Sequence, residues 1–209
     1  MKGLGLKESS AVVFANMKGF RGFERGLVPI GGKPMIEYVL DAIPDQVSNI
    51  SIVVDSEEKA KAYRDLAEKY WAEIIVLNTL SKTIRSQIDF AISSASGENV
   101  LILPCDSPLV SREFTSFLIE TSEKFSAVLP RNQARETVYI MAAYQKRPFM
   151  EAFSKNPEDD MDSLVKKVQR VLYLSSNSLK IFDERLLMFL RVYSPSDVQR
   201  VENILKRRV

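Results

Sequence analysis

Histidine is absent from all 209 residues, cysteine occurs once, and no glycine-rich linker, low-complexity tract or internal repeat interrupts the chain. Without histidine there is no imidazole general base, no Ser-His-Asp or Cys-His nucleophile and no His-ligated zinc. Any catalysis falls to carboxylates, lysine, arginine, backbone amides or an oxygen-ligated metal, a set that suits phosphate and Mg²⁺ chemistry. The lone Cys105 excludes an internal disulfide. It reads as a small buried hydrophobe, because no histidine stands by to activate it. No apolar run approaches the roughly 20 residues that span a bilayer, and the polar opening MKGLGLKESS does not read as a signal peptide. A formal net charge of +2 gives no electrostatic footprint for nucleic acid or a membrane surface. These absences lead us to expect a cytoplasmic protein with neither as partner; they leave the oligomeric state open.

What is present is an alternation. Short apolar runs read as strands: AVVFA (11–15), ISIVVD (50–55), EIIVLN (73–78), NVLILP (99–104) and SAVLP (126–130). Between them, PMIEYVLDAI, SEEKAKAYRDLAEKY, SKTIRSQIDFAISSA and SREFTSFLIETSEKF carry apolar residues at helical spacing. Ser56 and Ser111 stand where N-caps belong. The strands are near-continuous Val, Ile and Leu, as in a sheet buried on both faces. Strand–helix alternation at this spacing predicts a Rossmann-like three-layer α/β/α fold with a mostly parallel sheet. Beyond residue 130 the rhythm changes. ETVYIMAAYQ (136–145), RVLYLSS and LLMFLRV read as strands, RPFMEAFSK and MDSLVKKVQ as short helices, and SPSDVQRVENILKRR as a closing helix with Pro195 in its first turn. We therefore expect residues 1–209 to be a single domain, with 131–209 forming a small mixed C-terminal extension of 1–130.

In an open parallel sheet, ligands bind beyond the carboxyl ends of the strands. Three stretches fall there: the loop after the first strand, NTLSKT after the third and PCDSPLV after the fourth. Asp106 follows the apolar run LILP and is flanked by Pro104 and Pro108. A carboxylate at a strand end can ligate Mg²⁺; it can equally cap the next helix. The opening loop, FANMKGFRGFER (14–25), carries Lys18, Arg21 and Arg25, with Gly19 and Gly22 for turns. Cations and free backbone N–H groups together can hold a triphosphate, and a solvated basic loop has the same composition. Neither a Walker A loop nor GxGxxG is present. GGKP (31–34) suits a tight turn with Lys33 at the mouth of the following helix.

These residues together resemble the nucleotidyltransferases of the molybdenum-cofactor guanylyltransferase type (MobA-like NTP transferases). That family opens with a strand, then roughly AGGxGxRMGxxK, then L(L/I)PLxGKPLIEHVL; here the second part stands as GLVPIGGKPMIEYVLDAI. The family's PCDxPxh appears as LILPCDSPLVS, its VPRxxGRxxPLFALY is echoed by AVLPRNQARETVYIMAAY, and its NVNTPEDLxxAExL is matched by RVYSPSDVQRVENIL. The resemblance covers most of the chain. It implies a nucleotide-binding half (1–130) and an acceptor-side half (131–209). It also implies transfer of a nucleotidyl group from an NTP, with GTP as the donor, to a phosphate-bearing small molecule such as molybdopterin, releasing pyrophosphate. By the same resemblance Asp106 holds Mg²⁺ and Arg25 stabilises developing charge. Ala15, Asn16, Lys18, Gly19, Arg21, Gly22, Asn78 and Ser81 line the nucleotide, and Lys33, Arg131 and Arg191 meet phosphate or the acceptor. Thr83 and Arg135 stand beside these groups. For Ser81 we expect ordinary helix N-capping, and for Arg131 and Arg135 a solvated basic loop is the alternative.

The chain departs from the pattern at three places. Asn16 and Met17 replace the paired glycines that let backbone approach a nucleotide. Arg25 replaces the family's lysine, keeping the charge but exchanging a point for a planar fork. Arg191 stands at the first asparagine of NVNTP; a guanidinium cannot ligate Mg²⁺ but can meet a phosphate. Asn16, Met17 and Arg191 motivate one alternative, a non-catalytic nucleotide-binding or regulatory descendant of the family; the resemblance leaves another, a guanylyltransferase for a cobamide-type acceptor.

Overall fold

The computed structural model describes residues 8–77 and 83–207. Its first strand, β1 (Ser9–Phe14), is buried along its whole length. Side chains alternate across a strand, so Ala11 and Val13 enter one hydrophobic cluster while Val12 and Phe14 enter another. Each fully buried aliphatic of this kind contributes about 1.5–3 kcal/mol. Both faces must therefore be covered, and helices cover both.

A two-stranded hairpin, β2 (Pro29–Ile30) and β3 (Lys33–Pro34), follows the opening loop. The main sheet is completed by β4 (Val47–Val54), β5 (Ala72–Val76), β6 (Asn99–Pro104), β7 (Ala127–Pro130), β8 (Ala142–Gln145) and β9 (Val171–Leu174). The strand order is β5-β4-β1-β6-β8-β7-β9. β8 runs antiparallel to both its neighbours; the other pairs are parallel. This is the mostly parallel α/β sheet expected from the strand–helix alternation. β8, from beyond residue 130, lies between β6 and β7, so the later residues join the sheet of the earlier ones.

One face is packed by α1 (Met35–Asp41), α2 (Glu57–Ala62), α3 (Arg64–Lys69), α5 (Arg112–Ser122) and α8 (Ser176–Leu179). The other is packed by α4 (Ile84–Ser94), α6 (Lys146–Lys155) and α7 (Met161–Lys167). The closing helix α9 (Pro195–Leu205) belongs to a third cluster, where Val198 and Val201 join Val28, Ile30 and Met35 from the hairpin region and Leu109 and Val192 from two crossing segments. Ser56, Ser111 and Ser194 cap their helices, the last in a reciprocal box with Asp197.

The expected elements differ in four places. The helix over 56–70 is two helices, broken at Tyr63, whose fully buried ring is anchored by its hydroxyl accepting the Gly26 N–H at 3.0 Å. The strand over 136–145 is reduced to β8. Met141 has φ 133°, outside β geometry, and the Tyr144 hydroxyl donates to the Tyr139 carbonyl at 2.7 Å, holding a bend at 139–141. LLMFLRV is a 3-10 turn at Leu187–Phe189 rather than a strand. Leu186 is left-handed at φ 53°, and the Met188 N–H donates to Asp183 Oδ2 at 2.8 Å. Finally, Thr83 caps α4, accepting from the Ser86 N–H at 3.1 Å; Ser81, expected as that cap, lies outside the described residues.

Candidate functional site

β1 and β6 lie side by side and parallel, with Phe14 opposite Pro104. From β1 the chain proceeds to β4 and β5 on one side and only later crosses to β6 on the other. The crevice beyond their carboxyl ends is thus a topological switch point, the place where this architecture binds ligands. Ala15 and Asn16 emerge there from β1, and Cys105 and Asp106 from β6; the Cys105 N–H donates to the Phe14 carbonyl at 3.0 Å. The segment before α9 crosses the same point, the Val192 N–H donating to the Asp106 carbonyl at 2.9 Å. Asp106 does not cap α5, since Ser111 does.

The Asp106 side chain is fully buried, and both its oxygens face guanidinium groups. Arg191 Nε donates to Oδ1, and Arg25 Nη1 lies 3.7 Å from Oδ2. Arg25 is also held by the backbone: Nε donates to the Lys18 carbonyl at 2.9 Å and Nη1 to the Val192 carbonyl at 2.7 Å. Arg191 Nη2 reaches Met17 Sδ at 3.0 Å. The Tyr193 ring stands beside both cations, 5.2 Å from Arg25 and 5.7 Å from Arg191. Burial alone would lower the pKa of Arg191, but the Asp106 carboxylate outweighs it and raises the pKa above its ordinary value. Burial, and next the Asp106 charge, push the neighbouring Cys105 thiol far up, which leaves it inert as a nucleophile.

The loop between β1 and Arg25 is folded on itself. Phe20 and Phe23 form a bridge around Arg21 and Gly22, both at positive φ (57° and 77°), as a type I′ turn requires. Gly19 serves close approach: a Cβ there would stand 2.0 Å from the Phe23 carbonyl oxygen. Lys18 and Arg21 are exposed at the mouth, Asn16 and Met17 are half-buried and Ala15 is buried. Lys59, which the sequence reading passed over, pins the loop from behind. Its ammonium is 3.0 Å from Asp55 Oδ1 and 3.5 Å from Glu24 Oε2, and it donates to the Met17 carbonyl at 3.4 Å. A lysine in the first turn after a neighbouring strand, four residues past Asp55, was the signal available.

The remaining candidates lie apart from this cluster. Lys33 is paired with Asp41 at 2.6 Å and sits 4.0 Å from the Tyr38 ring, so its charge is engaged on α1. Arg131 is at the carboxyl end of β7, two strands from β6 and so about 10 Å across the sheet. It is exposed, over the Tyr173 ring at 4.6 Å. Arg135 is exposed in the following turn at φ 64°. Asn78 and Ser81 lie outside the described residues.

Tested against these groups, a divalent cation at Asp106 does not fit. Oδ1 already accepts from Arg191, and Oδ2, though without a hydrogen bond, is sealed from solvent beside Arg25. Among the described residues no group of three or more Cys, Asp or Glu side chains could hold a metal ion. Two guanidiniums and one carboxylate leave the cluster with a net charge of +1 (2 − 1), which opposes a free divalent cation. The arrangement is instead a cationic one: two guanidiniums held by one carboxylate, at a ligand crevice.

Comparison with known proteins agrees with this fold. The family model described as MobA-like NTP transferase domain matches residues 17–171. A molybdenum cofactor guanylyltransferase of Shewanella sp. (strain ANA-3) is 25% identical over 186 residues, covering 86% of this chain and 87% of its own. A probable molybdenum cofactor guanylyltransferase of Natranaerobius thermophilus is 26% identical over 211 residues, covering 94% and 96%. The crystal structure of a molybdopterin-guanine dinucleotide biosynthesis protein A from Archaeoglobus fulgidus superimposes with a TM-score of 0.73 at 23% identity, over 95% of this chain and 99% of that one. Among the described residues no helix is long and apolar enough to cross a membrane.

Proposed function

The chain belongs to the MobA-like NTP transferase domain family, and from that premise we propose that it transfers a nucleotidyl group, guanylyl by likeness to the relatives' names, to a phosphate-bearing acceptor of the molybdopterin kind. The observation that carries this reading is the convergence of Arg25 and Arg191 on Asp106 at the β1/β6 switch point, under a loop that presents Lys18 and Arg21. In the reaction, an oxygen of the acceptor phosphate attacks the α-phosphorus of the NTP in line. The new P–O bond forms as the bond to the β-phosphate's bridging oxygen breaks, and pyrophosphate leaves with the electron pair. No general base is required, because a phosphate monoester is ionised near neutral pH; a chain without histidine can therefore run it. Arg25 and Arg191 supply preorganised positive charge where negative charge develops, and the exposed Lys18 and Arg21 draw the polyphosphate in.

The test is pyrophosphate release from GTP, ATP, CTP and UTP with molybdopterin and a phosphorylated cobamide precursor as acceptors. Turnover with GTP and molybdopterin is expected. No turnover with any pair removes the transferase reading. A second reading, nucleotide binding without catalysis, is favoured by Met17, whose sulfur meets Arg191 within the crevice. A thermal shift with nucleotides but no pyrophosphate would select it.

A further inference from the structure

We infer that the Arg191 guanidinium serves this chain in place of a divalent cation, so that the crevice binds the phosphates of a nucleotide without metal. The inference rests on the nucleotide-binding reading above and deepens it. Three observations carry it. First, the carboxylate that would anchor a metal faces two cations: Asp106 is fully buried, with Arg191 Nε donating to Oδ1 and Arg25 Nη1 3.7 Å from Oδ2, which accepts no hydrogen bond. Second, two guanidiniums less one carboxylate leave a net charge of +1 (2 − 1), with the sign that a phosphate seeks and a metal avoids. Third, donors remain. Among the described residues Arg191 Nη1 and Arg25 Nη2 take no acceptor, and the Arg191 side chain keeps 25% of its surface exposed. A planar guanidinium with unspent donors binds phosphate oxygens as a fork. Asp106 is then a positioning residue: it holds Arg191 and Arg25 in register and offsets their mutual repulsion.

Calorimetric titration with GTP and with inorganic tripolyphosphate, in magnesium and in EDTA, tests this. The wild-type protein is expected to bind both in EDTA at least as tightly as in magnesium. Arg191→Asn is expected to lose roughly tenfold or more of its affinity in EDTA, the loss of a charge-assisted hydrogen bond. Magnesium should restore part of that affinity, because the variant frees Asp106 Oδ1. Arg191→Lys keeps the charge and should retain EDTA binding, weaker than the wild type. Wild-type binding that appears only with magnesium overturns the inference and leaves the transferase reading standing. So does Arg191→Asn binding in EDTA as tightly as the wild type. Failure of the wild type to bind either GTP or tripolyphosphate in both buffers removes the inference and the guanylyl reading it rests on. The wild-type arm needs no variant to fold.

Discussion

At the crevice between β1 and β6, Arg25 and Arg191 turn inward onto Asp106; at the end of β7, Arg131 and Arg135 stand in solvent. Both pairs occupy the same edge of the sheet and carry the same formal charge. They differ in what fixes them. The inner pair is held by a buried carboxylate and two backbone carbonyls, so its geometry exists before any ligand arrives. The outer pair has a turn and an aromatic ring for support, and its field is screened by salt within about 10 Å. Charge at the inner site contributes specific geometry and leans on a single counter-ion; charge at the outer site contributes attraction and depends on little.

The sharpest way to break that contrast is Asp106→Ala. It leaves two guanidiniums facing each other in a buried site, and losing one partner of a buried ionic group costs about 3–5 kcal/mol. At about 2–4 °C per kcal/mol for a chain of this size, the melting temperature should fall by roughly 10 °C, and turnover with it. A melting temperature unchanged within error would mean that the arginines do not need the carboxylate, and the inner site would be no different in kind from the outer one.

Much of this arrangement was legible in the sequence, and the parts that were not share a cause. NVLILP marked β6 to the residue because a strand buried on both faces is written as continuous apolar side chains. Ser56 and Ser111, and Pro195 in the first turn of α9, marked helix starts because such signals are local. The Asp106–Arg191 pair was hidden: its members are 85 residues apart, and each reads alone as a ligand for something else. Sequence likeness placed Asp106 on a metal; only the fold shows that Arg191 reaches it first. Tyr63 looked like one more residue of a helix, yet its hydroxyl accepts the N–H of Gly26, 37 residues earlier in the chain. LLMFLRV looked like a strand because its apolar density is high, but Leu186, Met188 and Phe189 pack in the core cluster of the sheet, and Leu187, Leu190 and Val192 in that of α9, without adding a strand.

The loop over the inner site gives an intermediate effect. In Gly19→Ala the new methyl meets the Phe23 carbonyl oxygen at 2.0 Å, a backbone atom that cannot swing away. Overpacking of this kind costs about 1–3 kcal/mol. Gly22→Ala meets nothing within 4 Å but keeps a φ of 77°, and the left-handed conformation costs an alanine ~1 kcal/mol. Denaturant melts should rank the two in that order. If the loop sets the position of Arg25 through the Lys18 carbonyl, Gly19→Ala should also weaken GTP binding while Gly22→Ala leaves it nearly unchanged. Equal effects on binding would detach the loop from Arg25.

Arg131→Ala is the smallest perturbation and the one that asks most of the outer site. An exposed cation over a ring contributes about 0.5–1 kcal/mol, so the melting temperature should move by only a few degrees. The informative reading is kinetic. A solvated arginine that attracts a phosphorylated acceptor contributes equally to ground and transition states, so its loss raises the acceptor's KM and leaves kcat alone. The effect should also shrink as ionic strength rises, which a contact fixed like those of Arg25 and Arg191 would resist. A fall in kcat that persists in high salt would mean that Arg131 is drawn into the reacting assembly once the acceptor binds, and the division between an inner, geometric site and an outer, attractive one would have to be redrawn around the bound acceptor.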